Sequence, residues 1–326
     1  MGTKEARPST TEVQSMPRPK RTPGQAHPFL KWAGGKTQLL PELVRRLPPE
    51  IAHGEITRYV EPFIGGGALF FALHEQYDVA QSYLYDINCE LILCYTVIQK
   101  DAEALIEKLD HLRSEYYTRD EEKRKAFYYE IRDRFNRQLQ EISFADYNPD
   151  WITRAAGIIF LNRTCFNGLF RVNRKGEFNV PFGKYKKPDI LNAENLRNVR
   201  TLLRDTTIRQ GDFTSCRDVV DEDTFVYFDP PYRPLNEKTA VFTSYAKDGF
   251  DEDDQVRLAD FFRELDRKGA KVMLSNSDPK NTDPDDSFFD DLYSGFTIER
   301  VPATRMINAN GAGRGAINEL IITNFR

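Results

Sequence analysis

The chain is poor in the residues that build metal and redox centres: 326 residues hold only four cysteines and four histidines. Cys89, Cys94, Cys165 and Cys216 fall at no metal-ligand or redox spacing, and His27, His53, His74 and His111 form no zinc signature. The cysteines read as free thiols in a reducing compartment, so a cytoplasmic location is expected. Nowhere do about eighteen apolar residues run together, which excludes a helical membrane span. Residues 1–27 also lack the apolar stretch of a secretory signal. Positive charge is not in excess, because the formal net charge is −4. A nucleotide-gripping P-loop is missing too. The stretch GGKT at 34–37 has the right tail, but the first glycine of that motif would stand where Leu30 is, and no β-branched strand precedes it.

What is present describes a globular protein. Hydrophobic residues make up 40% and charged residues 29%, and this length allows one to three domains. Residues 1–27, with Pro8, Pro17, Pro19 and Pro23 among Ser, Thr and Gln, read as a disordered tail. Charge is unevenly spread. Between Arg163 and Pro188 seven basic residues (Arg163, Arg171, Arg174, Lys175, Lys184, Lys186, Lys187) face Glu177 alone. A basic patch on an acidic chain is a candidate nucleic-acid footprint, although a solvated loop balanced by its neighbours has the same composition.

Periodicity sets the order of the elements. RYVEPF (58–63) reads as a strand stopped by Gly65-Gly66-Gly67, ALFFALHEQY as a helix, SYLYD (82–86) as a second strand and INCELILCYTVIQK as a second helix. This strand–glycine loop–helix–strand unit starts a doubly wound α/β sheet. Residues 101–160 are charged, favour helix and carry no strand signal. Strands return at 206–213, 224–229 and 270–277, and GFTIERV and INELIITNF close the chain as an antiparallel pair. The expected domains are an α/β domain built from 28–98 and 200–326, and an insert over 99–199. The insert ends in hairpin-like alternation around Lys175-Gly176.

Two motifs carry chemistry. In EPFIGGG (61–67), Glu61 and Phe63 precede Gly65 and Gly67, which let backbone approach a ligand closely. The third glycine of a dinucleotide site is replaced by Phe70, which weakens an NAD reading. Asp86 ends the next strand, the place from which a carboxylate takes ribose hydroxyls. Together these fit an adenosine ligand without a pyrophosphate, such as S-adenosylmethionine. The second motif, Asp229-Pro230-Pro231-Tyr232, follows an apolar strand and so lies at its carboxyl end. Consecutive prolines fix the backbone and remove two N–H donors. The Asp229 carboxylate and the Pro230 carbonyl can then take both hydrogens of an exocyclic amine and aim its lone pair at a methyl group. With an ordinary pKa of about 4, Asp229 would orient the amine and stabilise developing positive charge rather than deprotonate it beforehand. Tyr232 offers a flat face to an extruded base.

With these motifs on the page, the chain resembles the Dam-type DNA adenine-N6 methyltransferases, the GATC-directed, D12-class, alpha-group enzymes. The resemblance covers residue 28 to the end. It rests on FLKWAGGKTQLLPEL, VEPFIGGGALFFAL, YDIN, FNGLFRVNRKGEFNVPFGKYKKP, GDF, YFDPPY, FTSY and SNSD, in that order. It implies a Rossmann-like S-adenosylmethionine-dependent methyltransferase sheet of α/β class, with an inserted, mostly helical target-recognition domain carrying a β-hairpin. It assigns cofactor roles to Trp32, Ala33, Gly34, Lys36, Glu61, Phe63, Gly65, Gly67, Asp86, Asp212, Phe213 and Asp229, Lys36 pairing with a carboxylate or a neighbouring acid. Asp229, Pro230 and Tyr232 are the implied catalytic residues. Double-stranded DNA is the implied partner, contacted by Lys31, Phe166, Asn167, Leu169, Arg171, Asn173, Pro181, Lys184, Lys186 and Lys187. Arg171 has the fork that matches guanine O6 and N7, Leu169 and Pro181 suit thymine methyls, Phe166 wedges into the stack, and Asn173 braces the hairpin or touches phosphate. The implied target is 5′-GATC-3′, methylated on adenine.

Three functions follow in order: the adenine-N6 enzyme, solitary or paired with a cognate restriction endonuclease; a cytosine-N4 enzyme, which faces the same amine; and a silent DNA-binding regulator. Asp rather than Ser opening the catalytic tetrapeptide favours the first, and intact Asp229, Tyr232, Gly65 and Gly67 speak against the third. No metal is expected. A monomer is the expected state, with a dimer left open.

Overall fold

In the computed structural model, residues 24–32, 34, 36, 38–233, 250–304 and 316–326 are described. Seven strands form one sheet: β1 (Arg58–Glu61), β2 (Gln81–Asp86), β3 (Thr206–Gln210), β4 (Thr224–Phe228), β5 (Lys271–Ser277), β6 (Thr297–Thr304) and β7 (Ala316–Thr323). Their order is β3-β2-β1-β4-β5-β7-β6. The first five run parallel, whereas β7 pairs antiparallel with both β5 and β6. The helices are α1 (Leu40–Arg45), α2 (Pro49–Ala52), α3 (Ala68–Gln76), α4 (Cys89–Tyr117), α5 (Glu121–Gln138), α6 (Asp150–Thr164), α7 (Ala193–Leu202), α8 (Glu252–Arg267) and α9 (Phe288–Leu292).

Parallel strands covered on both faces need apolar residues at every position. Strand β4 meets that demand, with all five residues buried. Phe225 and Tyr227 point into one core, shared with α3, α4 and the insert. Val226 and Phe228 point into the other, shared with α8 and α9. Helix α8 is amphipathic, burying Gln255, Leu258, Ala259, Phe261, Phe262 and Leu265. A reciprocal capping box between Asp251 and Asp254 starts it.

Three boundaries differ from the sequence reading. The 98/99 junction falls inside α4, whose helical geometry breaks slightly later, at Asp101 (φ −136°, ψ 48°). The 199/200 junction falls inside α7, which Asn192 caps, so helix continuity moves that junction toward the N-terminus. Gln25 and His27, which the sequence reading placed in the tail, are pinned to α7. Asn195 bonds both the N–H and the carbonyl of His27 (2.8 and 3.0 Å), and Asn198 donates to the Gln25 carbonyl. Residues 1–23 lie outside the described residues.

Helix α6, buried along nearly its whole length, ties the insert to α4. Arg154 is fully buried and forks onto Glu90 of α4, with Nε–Oε2 at 2.7 Å, while its third nitrogen donates to the Phe135 carbonyl. A buried pair stripped of one partner leaves an uncompensated charge. Glu90→Ala should therefore lower unfolding free energy by about 3–5 kcal/mol, read as a shift in the denaturant midpoint.

Candidate functional site

Four parallel strands end along one edge of the sheet, and each delivers an acid or a glycine loop. Beyond β1, Gly65 (φ +47°) and Gly67 (φ +69°) adopt the left-handed backbone that glycine tolerates. A Cβ on Gly67 would stand 2.7 Å from the Tyr95 hydroxyl and 3.1 Å from the Phe71 ring; one on Gly65 would stand 3.2 Å from Trp32. The loop is thus packed beneath Tyr95 and covered by Trp32, whose indole stacks on Phe170 of the insert (5.2 Å, 23°). Glu61, ending β1, is buried and accepts from the Tyr59 hydroxyl at 2.7 Å. Burial pushes its carboxyl well above the usual range.

Asp86, ending β2, accepts from the Gly65 N–H (3.1 Å) and the Asn88 N–H (2.9 Å), which locks the glycine loop to the second strand. Burial raises its pKa to about 6 against those two bonds. Ile87 follows, 66% exposed, an apolar side chain left in solvent beside that carboxylate. After β3, Asp212 caps the next turn through Thr214 and forms an ion pair with Arg257 at 2.9 Å. Phe213 is buried, stacked on Phe63 (5.7 Å) with the Arg257 guanidinium over its ring.

Asp229 follows β4. Lys36, itself buried, lies 2.7 Å from its Oδ1, and the Ser275 hydroxyl donates to the same oxygen at 3.1 Å. Sequence alone gives this carboxylate an ordinary pKa; in the fold, burial raises it, and the Lys36 ammonium and Ser275 oppose that shift. Lys36 also donates to the Gly34 carbonyl (2.9 Å) and stands 4.1 Å from the centre of the Tyr232 ring. The neighbouring acid that this lysine meets is therefore the one opening the Asp-Pro-Pro-Tyr tetrapeptide. The Tyr232 hydroxyl donates to Glu319 of β7 at 2.9 Å. The Pro231 carbonyl accepts from Gln255, whereas among the described residues none donates to the Pro230 carbonyl.

The expected nucleic-acid residues divide into three groups. Lys31, Phe166, Asn167, Leu169 and Pro181 lie side by side. Asn162 bonds both backbone groups of Lys31 and also the Gly168 carbonyl, and the Phe166 N–H donates to the Pro181 carbonyl. Phe166 is 53% exposed, Pro181 is exposed, Leu169 is half-buried against the core, and Asn167 has φ +58°. The Lys31 ammonium lies 5.3 Å from the Tyr185 ring centre. Lys184, Lys186 and Lys187 are exposed further along, where the Lys186 carbonyl meets Arg124 of α5.

The hairpin closes through Asn173 N–H to Glu177 O and Gly176 N–H to Asn173 O. Of the two tasks the sequence offered Asn173, bracing is the one observed: its side chain accepts from Lys175 and Glu177 N–H and donates to the Glu177 carboxylate. The Arg171 fork is turned onto Asn179, with Nε–Oδ1 at 2.7 Å. Ala33 and the FTSY segment lie outside the described residues. Ile87, Phe170, Tyr227, Gln255, Ser275 and Glu319 were not singled out in the sequence. The one available signal was SNSD, a run of small polar residues ending an apolar strand.

A family model described as D12 class N6 adenine-specific DNA methyltransferase matches residues 32–307. The chain is 51% identical to a type II methyltransferase, M.MjaIII, of Methanocaldococcus jannaschii, over 92% of this chain and 100% of that protein. It is 42% identical to the type II methyltransferase M1.LlaDCHI of Lactococcus lactis subsp. cremoris, over 91% and 95%. It is 36% identical to a DNA adenine methylase of Vibrio cholerae, over 90% and 94%. Among the described residues no helix is long and apolar enough to cross a membrane, and no cluster of His, Cys, Asp and Glu could hold a metal ion.

The glycine loop allows a direct test of packing. Gly67→Ala puts a side chain on a left-handed backbone and against the Tyr95 hydroxyl. The backbone alone should cost about 1–2 kcal/mol; Gly54→Ala, equally left-handed (φ +73°) but meeting nothing within 4 Å, shares that cost, so the further drop in thermal midpoint of Gly67→Ala reads the clash with Tyr95.

Proposed function

Since the chain belongs to the D12 class of N6 adenine-specific DNA methyltransferases, we propose that it moves the methyl group of S-adenosylmethionine to N6 of the adenine in 5′-GATC-3′, on a base swung out of the duplex. Family membership settles two alternatives: the acceptor is adenine N6 rather than cytosine N4, and the protein is an enzyme rather than a silent regulator. One observation carries the rest of the reading. The Asp229-Pro230-Pro231-Tyr232 turn leaves β4 beside the glycine loop that leaves β1, the two strands being neighbours in the sheet.

The residues present fit S-adenosylmethionine. Two left-handed glycines let backbone approach a ligand beneath Trp32, and the largely buried Asp86 carboxylate suits ribose hydroxyls. Exposed Ile87 and the Phe63–Phe213 stack offer apolar surface for a purine ring. Trp32, Glu61, Phe63, Gly65, Gly67, Asp86, Asp212 and Phe213 would hold the cofactor. Bound there, it supplies a methyl group activated by a positively charged sulfur.

The chain's own residues handle the amine. Asp229 and the Pro230 carbonyl accept its two hydrogens, which localises the nitrogen lone pair and turns it toward the methyl-bearing end of the cleft. Tyr232, braced by Glu319, receives the ring on its face. Positive charge grows on N6 as the new N–C bond forms, and a carboxylate fixed beforehand stabilises it without reorganising. Burial makes Asp229 a stronger proton acceptor than an exposed acid, so the departing N6 proton goes to it and from there to solvent. Lys36 offsets the charge of the carboxylate from its Oδ1 side.

On the DNA side, Phe166 stands exposed where a wedge is needed, beside Lys31 and Pro181. Arg171 can read guanine after exchanging Asn179 for the base edge. Lys184, Lys186 and Lys187 would meet phosphates.

Incubation with labelled S-adenosylmethionine and duplex DNA, followed by nucleoside analysis, should place the label in N6-methyladenine and confine it to GATC sites. Asp229→Ala should abolish transfer while cofactor binding, followed by calorimetry, survives; loss of both would take Asp229 out of the amine-binding role. Arg171→Ala should relax discrimination at the guanine by about 1–3 kcal/mol, measured as relative kcat/KM on duplexes altered at that base pair.

A further inference from the structure

Strand β5 ends in Ser275, Asn276 and Ser277, polar residues that are nonetheless buried. Buried polar groups need partners, and these find theirs in the turn that follows β4. Ser275 donates to Asp229 Oδ1 at 3.1 Å. Asn276 accepts from the Arg233 N–H (3.3 Å), and Ser277 donates to the Arg233 carbonyl (3.0 Å). Asn276 also donates to Gln255, which in turn donates to the Pro231 carbonyl, each at 3.2 Å. The turn is clamped from the neighbouring strand at its first and fifth residues and, through Gln255 of α8, at its third.

Counting protons orders the first of these contacts. An ionised carboxylate only accepts, and a serine hydroxyl has one hydrogen. The Ser275 hydrogen therefore goes to Asp229. The Tyr227 hydroxyl, 2.8 Å from Ser275 Oγ and buried on β4, must then donate to Ser275. Hydrogen bonds in such a chain polarise one another. Both donors that reach Asp229, Ser275 and Lys36, fall on Oδ1; among the described residues none falls on Oδ2.

We propose that Ser275, oriented by Tyr227, is a positioning residue for methyl transfer: it fixes the rotation of the Asp229 carboxylate so that the protein holds Oδ1 and Oδ2 is left to accept from the adenine amine. This rests on the reading of Asp229 as the amine acceptor. The charged group that acts on Asp229 is Lys36 of the N-terminal segment, and the Asp229 carboxylate in turn acts on Tyr59 and Glu61 of β1, Tyr227 of β4 and Tyr232 of the turn. Glu319 of β7 acts on Tyr227 and Tyr232. Lys36 alone among these is cationic, so the Ser275 hydroxyl is the second group that favours the ionised carboxylate.

The test compares Ser275→Ala, Ser275→Thr, Tyr227→Phe and Asp229→Asn in the full chain, with S-adenosylmethionine and a GATC duplex. Ser275→Ala should lower kcat by about 10–100-fold, the range for a hydrogen bond to a charged group, with both KM values essentially unchanged. Loss of a donor to the charged form raises the Asp229 pKa, so the acid limb of kcat should move to higher pH. Ser275→Thr, which keeps the hydroxyl, should restore both rate and limb. Tyr227→Phe should give a smaller loss in the same direction and add nothing in the Ser275→Ala background.

Wild-type kcat and an unmoved acid limb in Ser275→Ala, with Asp229→Asn inactive, overturn the proposal alone. A fall in kcat without a moved limb or threonine rescue also overturns it, as the mark of a merely structural serine. Full activity of Asp229→Asn instead overturns the underlying reading. Should Ser275→Ala fail to fold by circular dichroism, Tyr227→Phe decides, and an unmoved limb there refutes the relay.

Discussion

The pairing of β1 with β4 is the constraint on which the site depends. These strands are far apart in sequence, yet their parallel register (Arg58 with Thr224, Val60 with Val226) ends them on the same edge of the sheet. From that edge one strand releases a glycine loop and the other an aspartate. In a doubly wound sheet this is where the strand order reverses and the connections diverge to opposite faces, which opens a crevice. Everything that binds or reacts is placed relative to that crevice, and the alternating burial of β4 toward two cores keeps its floor rigid.

Three carboxylates, Glu61, Asp86 and Asp229, crowd this edge, and burial pushes all three above the usual carboxylate range. Each is held differently. Glu61 takes a tyrosine hydroxyl, Asp86 takes two backbone N–H groups, and Asp229 takes a lysine ammonium and a serine hydroxyl. The differences suit different tasks. Backbone donors hold Asp86 as part of the loop's architecture. The lysine and the serine both fall on one oxygen of Asp229, so its other oxygen is not taken by a donor among the described residues.

The N-terminal segment joins the two halves of the molecule. Gln25 and His27 are bound to α7, Phe29 packs edge-on against Tyr95 beneath the glycine loop, and Lys31 is bound to α6. Trp32 then lies between the loop and Phe170 of the insert, and Lys36 reaches Asp229. A single stretch of chain thus touches the loop that would hold the cofactor, the Asp-Pro-Pro-Tyr turn and the element that would meet DNA. The Trp32–Phe170 stack thereby connects the insert to the glycine loop.

Much of this was legible in the sequence. Alternating and 3.6-residue apolar patterns located the strands and the long helices, because burial on a sheet face or a helix stripe imposes its period on the chain. The glycine loop, Asp86 and the Asp-Pro-Pro-Tyr turn were readable because their chemistry needs particular residue types at strand ends. Local signals also carried the hairpin at Lys175-Gly176. The tertiary structure alone decided which acid Lys36 meets, that Arg171 rests on Asn179, that Gln25 and His27 are bound to α7, and that Ser275 and Tyr227 stand behind Asp229. Those contacts join residues distant in sequence, and a hydrogen bond across two strands leaves no period in either. Burial likewise moved the Asp229 pKa from the ordinary value its residue type suggests, since desolvation belongs to the packed surroundings rather than to the side chain.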